Sequence, residues 1–226
     1  MTIHIVGTSH VLPFRQFLVH TGKNIGFKWY FSNNSNYPEG DFIWTADGLS
    51  HTAESVSGVW AKMSGRRSIP IHSSDTVVAF GFDDRFDRYA FLAGKADHVS
   101  SACRSQTLED LVAASAALRM IALVRENQPE AKLVMVEPPL LSRSEQVKKF
   151  IDGLVLKQRL QELCNQHAAI AMRYGAIYTR QSVETLRVEG DYLYTCDEYL
   201  AADGFHWGPS GIDVVFRDMM PALSLL

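Results

Sequence analysis

The sequence predicts a three-layer α/β/α sandwich built around a five-stranded parallel sheet. Short apolar runs, each long enough for one buried strand, alternate along the chain with longer stretches of helical apolar spacing. Polar or glycine-containing turns close most of these runs, as expected where a strand ends and a crossover begins. Because crossovers between parallel strands are right-handed, such a chain places helices on both faces of its sheet.

The strands of the predicted sheet are apolar runs spread over most of the chain. They are residues 3–6, 27–31, 76–80, 133–136 and 176–178. A separate hairpin is predicted at 41–45 and the turn Asp47-Gly48, outside the main alternation.

Helices are predicted from about Pro13, over 108–125, over 147–174 and over 211–223. The clearest is 108–125, because apolar residues recur there at helical spacing: Leu111, Ala114, Leu118 and Ile121. The stretch 147–174 is helical in composition and is interrupted near Gly153. Since neither a repeat nor a linker divides the sequence, we expect residues 1–226 to form one domain.

Composition excludes several classes of protein. The 226 residues are 46% apolar, which suits one domain with a large core and argues against disorder. The 22 Lys and Arg against 25 Asp and Glu give a net charge of -3. This balance lacks the excess of basic residues that is typical of proteins that bind nucleic acids or membrane surfaces. The cysteines Cys103, Cys164 and Cys196 are odd in number and widely spaced, so they form neither a disulfide framework nor a CxxC metal pair.

The first residues lack the basic and long apolar regions of a signal peptide. No run of about 18 apolar residues occurs that would span a membrane. We therefore expect a cytoplasmic protein whose partners are neither nucleic acids nor membranes.

The turn after the first strand is the first candidate for chemistry, because parallel sheets bind ligands beyond the carboxyl ends of their strands. Gly7 permits a tight turn, and Ser9 lies at the N-terminal end of the following predicted helix, where backbone N–H groups are free. Val11 excludes the G-x-S-x-G elbow of α/β-hydrolases. Taken alone, Ser9 is more typical of a helix N-cap than of a nucleophile.

A second candidate lies before the last predicted helix, where Asp203 and His206 stand three residues apart. In a turn, the carboxylate can accept from the imidazole Nδ1–H and leave Nε2 free as a general base. On its own the segment also fits an ion-paired surface loop.

As a pair, the strand-terminal G-x-S turn and the D-x-x-H motif resemble the SGNH/GDSL hydrolase superfamily, and the resemblance spans almost the whole chain. It implies the flavodoxin-like α/β/α fold of that family and esterase activity, with Ser9 as nucleophile, His206 as base and Asp203 as the acid that orients it. It also implies small acyl esters as substrates, including acetyl groups on carbohydrate, and neither a metal nor an organic cofactor.

Two blocks depart from the family's pattern around the oxyanion. The family's third block reads G-x-N-D and its Asn donates to the oxyanion, whereas here Gly81 is followed by Asp83 at that position. A carboxylate there is repulsive when ionised, and loss of one oxyanion donor costs about 3–4 kcal/mol. The glycine of the family's second block is missing from 32–36, which leaves Asn33 and Asn34 as candidate donors beside the Ser9 N–H.

Two further residues adjoin the motifs. His10 either lines the pocket or faces solvent at the start of its helix. Trp207, next to His206, is the best placed of the tryptophans to cover a sugar or acyl face. Pro138-Pro139 ends its strand and, as in the resembled family, is expected to shape the pocket floor.

Two alternatives of other classes remain open. Asp83 and the missing glycine favour a binding protein of the same fold with weak or no turnover. The carboxylates of Asp83, Asp84 and Asp87 could instead hold a divalent cation in a metal-dependent phosphoesterase, although such a run is also typical of a solvated loop.

Overall fold

The structure is a computed structural model that describes residues 1–24, 26–82, 100–149 and 157–224. Its main sheet has five strands: β1 Ile3–Gly7, β2 Phe27–Phe31, β5 Thr76–Phe80, β6 Lys132–Val136 and β7 Ala176–Thr179. Their order is β2-β1-β5-β6-β7, and every neighbouring pair is parallel. The predicted five-stranded parallel sheet is thus confirmed, with bounds within one residue of those expected from the apolar runs.

The helices of the described residues flank this sheet. They are α1 Val11–His20, α2 Glu54–Ser64, α3 Ser101–Ala113, α4 Ala116–Asn127, α5 Arg143–Lys149, α6 Lys157–Arg173 and α7 Pro209–Ser224. Within these residues no helix is both long and apolar enough to cross a lipid bilayer. The cytoplasmic location stays a prediction.

Both faces of the sheet are buried, because successive side chains of a strand point to opposite sides. On one face Val6, Val77 and Ala79 pack with α2 residues such as Trp60 and with α4 and α6. On the other face Ile5, Val78 and Phe80 pack with α1 and α7. The result is the three-layer α/β/α arrangement that the sequence predicts.

Two antiparallel hairpins lie outside the main sheet. The first pairs β3 Phe42–Thr45 with β4 Gly48–His51, as the Asp47-Gly48 turn predicts. The second pairs β8 Leu186–Glu189 with β9 Tyr192–Thr195 and was not predicted, although Gly190 at φ 59° provides the turn signal.

The prediction of one helix over 108–125 is wrong, because the helix is interrupted between α3 and α4. Ser115 caps α4, and its hydroxyl accepts from the Leu118 N–H at 3.3 Å. A serine that satisfies a free N–H group in this way competes with helix continuation. Helix α2 was not predicted, α1 and α7 each begin two residues before the expected position, and Gly153 lies outside the described residues.

Candidate active site

The turn after β1 is tied to its neighbours on both sides. An added Cβ on Gly7 would lie 2.0 Å from a backbone oxygen of β5, so only glycine fits there. The Gly7 carbonyl accepts from the buried Tyr37 hydroxyl at 2.6 Å. The Thr8 hydroxyl donates to the Gly81 carbonyl at 2.5 Å. These bonds fix the turn that presents Ser9 at the carboxyl edge of the sheet.

The turn that carries Asp203 and His206 is built by the Asp203 carboxylate itself. Its Oδ1 accepts from the backbone N–H groups of Phe205 and His206, both at 2.9 Å. Gly204 adopts φ 65° in this turn. The folded turn leaves the other carboxylate oxygen, Oδ2, 2.7 Å from His206 Nδ1.

The two turns meet at the carboxyl edge of the sheet. His206 Nε2 lies 2.9 Å from Ser9 Oγ, so the three side chains form a continuous hydrogen-bonded row. In the neutral imidazole, an Nδ1–H that donates to Asp203 leaves Nε2 as the acceptor for the Ser9 hydroxyl. The pairing of the sequence-predicted Ser9, His206 and Asp203 is therefore present in the structure.

Asp203 stays ionised over the whole physiological pH range. Its partial burial acts to raise the pKa, but hydrogen bonds from the His206 side chain and from two backbone N–H groups outweigh this and lower the pKa to about 2. A permanent carboxylate at this position favours the imidazole tautomer that leaves Nε2 unprotonated.

His10 is buried against the candidate base. It is 1% exposed, and its ring centroid lies 4.6 Å from that of His206 and 4.9 Å from that of Phe205. The alternative in which His10 faces solvent is therefore wrong. Gly81, at φ 68°, makes room for this packing, because an added Cβ there would lie 2.4 Å from His10 Cβ.

Asn33 and Asn34 follow β2 at the same edge of the sheet. Asn33 is exposed, and the half-buried Asn34 begins a short 3-10 helix, Asn34–Glu39. The Ser32 N–H donates to the Gly7 carbonyl at 3.2 Å, which ties this loop to the Ser9 turn. The acidic candidates Asp83, Asp84 and Asp87 lie outside the described residues. Across the described residues no group of three or more His, Cys, Asp or Glu is arranged to hold a metal ion.

Trp207 does not line the site, contrary to the sequence-based expectation. Its side chain is 2% exposed and packs in the core beneath α7. Gly211 leaves the space for the indole, since an added Cβ would lie 2.4 Å from its ring. A fully buried ring cannot cover a sugar or acyl group.

A buried polar cluster behind the site was missed by the sequence analysis. Glu137, directly after β6, accepts from the Tyr178 hydroxyl at 2.5 Å and from the Gln181 N–H at 2.8 Å. The Gln181 side chain accepts from the Leu140 N–H at 2.9 Å and donates to two threonine hydroxyls. A glutamate that follows an apolar strand directly was the available signal.

This cluster holds the loop that supports the Asp203 turn. The loop after Pro138-Pro139 runs to Ser142, whose N–H donates to the Gly204 carbonyl at 2.9 Å. An added Cβ on Gly204 would lie 2.6 Å from Ser142 Oγ, so the two segments are in close contact. The diproline loop thus packs beneath the turn between the candidate acid and the candidate base.

The similarity of this chain to known proteins is one of fold. No family model matches the sequence, and no curated protein is similar to it. A solved structure of a candidate platelet activating factor from Streptococcus pneumonia aligns over 98% of this chain and 83% of its own, with 13% identity and a TM-score of 0.57. A candidate acylhydrolase from Bacteroides fragilis aligns over 98% of this chain and 86% of its own, with 13% identity and a TM-score of 0.52.

A candidate GDSL-like lipase from Parabacteroides merdae aligns over 100% of this chain and 96% of its own, with 11% identity and a TM-score of 0.48. At such identities a likeness concerns the fold alone. The strand order and the two flanking helical layers agree with this likeness, and the chain shares its α/β/α fold with the S. pneumonia and B. fragilis structures.

Proposed function

We propose that this protein is a serine-dependent ester hydrolase. The observation that carries the proposal is the row of hydrogen bonds from Asp203 through His206 to Ser9, with 2.7 and 2.9 Å between the bonded atoms. A hydroxyl, an imidazole and a carboxylate in that order supply a nucleophile, a general base and a group that orients the base.

The reaction begins when Ser9 Oγ attacks the acyl carbonyl and His206 Nε2 takes the hydroxyl proton. The tetrahedral intermediate collapses as the C–O bond to the alcohol breaks, and His206 returns the proton to the leaving alkoxide. Water, activated in turn by His206, attacks the acyl-enzyme and releases the carboxylic acid and free Ser9. Asp203 remains a carboxylate throughout and holds the imidazole in place.

The Ser9 N–H is the first proposed oxyanion donor, because it belongs to the residue of the nucleophile and lies in the turn between β1 and α1. Asn33 and Asn34 are the second, since their loop is bonded to the Gly7 carbonyl through Ser32. The proposed substrates are small acyl esters, including acetylated carbohydrates, and the acylhydrolase name of the B. fragilis structure agrees with this class.

Labelling of the nucleophile tests the proposal directly. Wild type, Ser9→Ala and the control Ser105→Ala, an exposed serine of α3, are incubated with a fluorophosphonate probe and with p-nitrophenyl acetate. Wild type and Ser105→Ala should be labelled once and hydrolyse the ester, whereas Ser9→Ala should do neither. Equal hydrolysis by wild type and Ser9→Ala, with no label on either, would overturn the proposal.

The same experiment separates the alternative of a weakly catalytic binding protein. Asp83 at the expected oxyanion-donor position and the glycine missing from 32–36 favour that alternative. A wild type that is labelled at Ser9 yet shows no turnover of a panel of acyl esters would support it over the hydrolase.

A further inference from the structure

A cleft of about 590 Å³ opens at the amino end of the main sheet, at the edge opposite Ser9. His4, the second residue of β1, lines it, whereas Ser9 follows the last residue of that strand. Because the chain is extended from His4 to Gly7, the strand alone separates the two sites by roughly 10 Å. The cleft is therefore separate from the candidate active site.

Three cationic side chains line this cleft: Arg15 from α1, Lys28 from β2 and Arg66 after α2. All three are exposed, and none forms an ion pair or a side-chain hydrogen bond with any residue that the structure describes. Five arginines elsewhere do contact a carboxylate: Arg67, Arg119, Arg143, Arg173 and Arg217. The cations of the cleft thus differ from these five arginines in having no carboxylate partner among the described residues.

Among the described residues, Asp75 is the one carboxylate that lines the cleft, and its oxygens already accept hydrogen bonds. It accepts from the Thr2 N–H at 2.7 Å and from the His72 N–H at 2.9 Å, and it lies 3.3 Å from His4 Nε2. It is also only 3% exposed. Even when its charge is counted in full, the described residues give the cleft an excess of two positive charges.

One polar group in the cleft wall has no partner among the described residues. The Tyr30 side chain is 4% exposed, and its hydroxyl bonds to no described residue. The hydroxyl oxygen is not among the fully buried polar atoms, so it is accessible to a molecule in the cleft. It can therefore donate a hydrogen bond to a ligand that offers an acceptor.

We propose that this cleft binds a phosphomonoester of a small organic group. A phosphate dianion matches the excess of two positive charges, and its oxygens suit the donor forks of Arg15 and Arg66, the Lys28 ammonium and the Tyr30 hydroxyl. The cleft is larger than a phosphate needs, and Phe27 and Trp29 in its wall provide apolar surface for the organic part. The site is independent of ester hydrolysis at Ser9.

Calorimetric titration with phenyl phosphate tests the site. Inorganic phosphate and benzoate are compared with it at low ionic strength and at about pH 8, where a phosphate monoester is a dianion. Phenyl phosphate should bind with one molecule per chain and more tightly than either reference ligand, because it alone combines the dianion with an aromatic group. Absence of saturable binding, or equal affinity for benzoate, would overturn the proposal.

Matched variants locate the binding. Lys28→Gln should weaken phenyl phosphate binding about tenfold, whereas Lys62→Gln, an exposed lysine of α2 outside the cleft, should not change it. Tyr30→Phe removes only the hydroxyl and should weaken binding severalfold. Ser9→Ala should bind as wild type does. Equal weakening in the two lysine variants, or loss of binding in Ser9→Ala, contradicts this placement of the ligand.

Discussion

His206 Nε2 lies 2.9 Å from Ser9 Oγ, although 197 positions separate the two residues. Ser9 follows β1 and His206 precedes α7, and both turns open at the carboxyl edge of the sheet. Each turn has its own support, from Tyr37 and Gly81 on one side and from Ser142 on the other. The alignment of the candidate nucleophile and base therefore depends on three separate loops.

Asp203→Asn should lower kcat for p-nitrophenyl acetate by about 10²- to 10⁴-fold with little change in KM. The amide keeps the shape of the turn but no longer favours the imidazole tautomer with Nε2 free. Asp213→Asn, an exposed carboxylate of α7 paired with Lys23, is the control and should leave kcat unchanged. Steady-state kinetics that show full turnover in Asp203→Asn would remove Asp203 from the proposed mechanism.

The Asp203 carboxylate should also stabilise the folded protein in a defined pH range. Its pKa of about 2 in the folded state lies below the ordinary value of 3.8, so its stabilisation is present above pH 3.8 and is lost as the pH falls through 2. The difference in free energy of unfolding between wild type and Asp203→Asn should shrink over that interval. Urea denaturation followed by circular dichroism measures it, and a difference that grows on acidification contradicts this assignment.

The main sheet could be predicted from the sequence because its strands are buried on both faces. A short, continuously apolar run such as Thr76–Phe80 is typical of a central parallel strand, because both of its faces are covered by helices. The break at Ser115 and the hairpin around Gly190 could not be predicted in the same way. They depend on whether a serine caps a helix or continues it, and on strand pairing between short, partly exposed segments.

For the site, the motif residues could be predicted but their neighbours could not. Ser9 falls on the turn after the first predicted strand, and Asp203 and His206 fall on the turn before the last predicted helix. Whether His10 faces the site depends on the space left by Gly81 in the loop after β5. That space is set by packing between distant parts of the chain, which a single sequence does not display.

Gly81→Ala should destabilise the protein more than Gly190→Ala does. Both glycines have positive φ, 68° and 59°, so each substitution carries a backbone cost of about 1–2 kcal/mol. Nothing lies within 4 Å of an added Cβ at Gly190, whereas at Gly81 it would lie 2.4 Å from His10 Cβ. Chemical denaturation should therefore show an extra cost for Gly81→Ala, and ester hydrolysis should fall because His10 packs on His206. Equal stability of the two variants would show that His10 relaxes freely.

Gln181→Leu should cost about 3 kcal/mol of stability, because the Leu140 N–H and the hydroxyls of Thr185 and Thr195 lose a buried partner. Gln161→Leu, on the exposed surface of α6, provides the same change without that loss and should be close to neutral. Urea denaturation compares the two. A neutral Gln181→Leu would mean that the polar cluster does not hold the loop behind the Asp203 turn.

Asp83→Asn should raise ester hydrolysis, since it restores the amide that the resembled family places at this position. An ionised carboxylate repels the developing oxyanion, while an amide donates to it, and such a donor is worth about 10²- to 10³-fold in kcat. The comparison is made at neutral and alkaline pH, where an ordinary aspartate carboxylate is ionised. Asp87→Asn, in the same acidic segment, is the control and should leave the pH–rate profile unchanged. An unchanged or lower rate of Asp83→Asn across all pH values would assign the oxyanion donors to the Ser9 N–H and the Asn33–Asn34 loop alone.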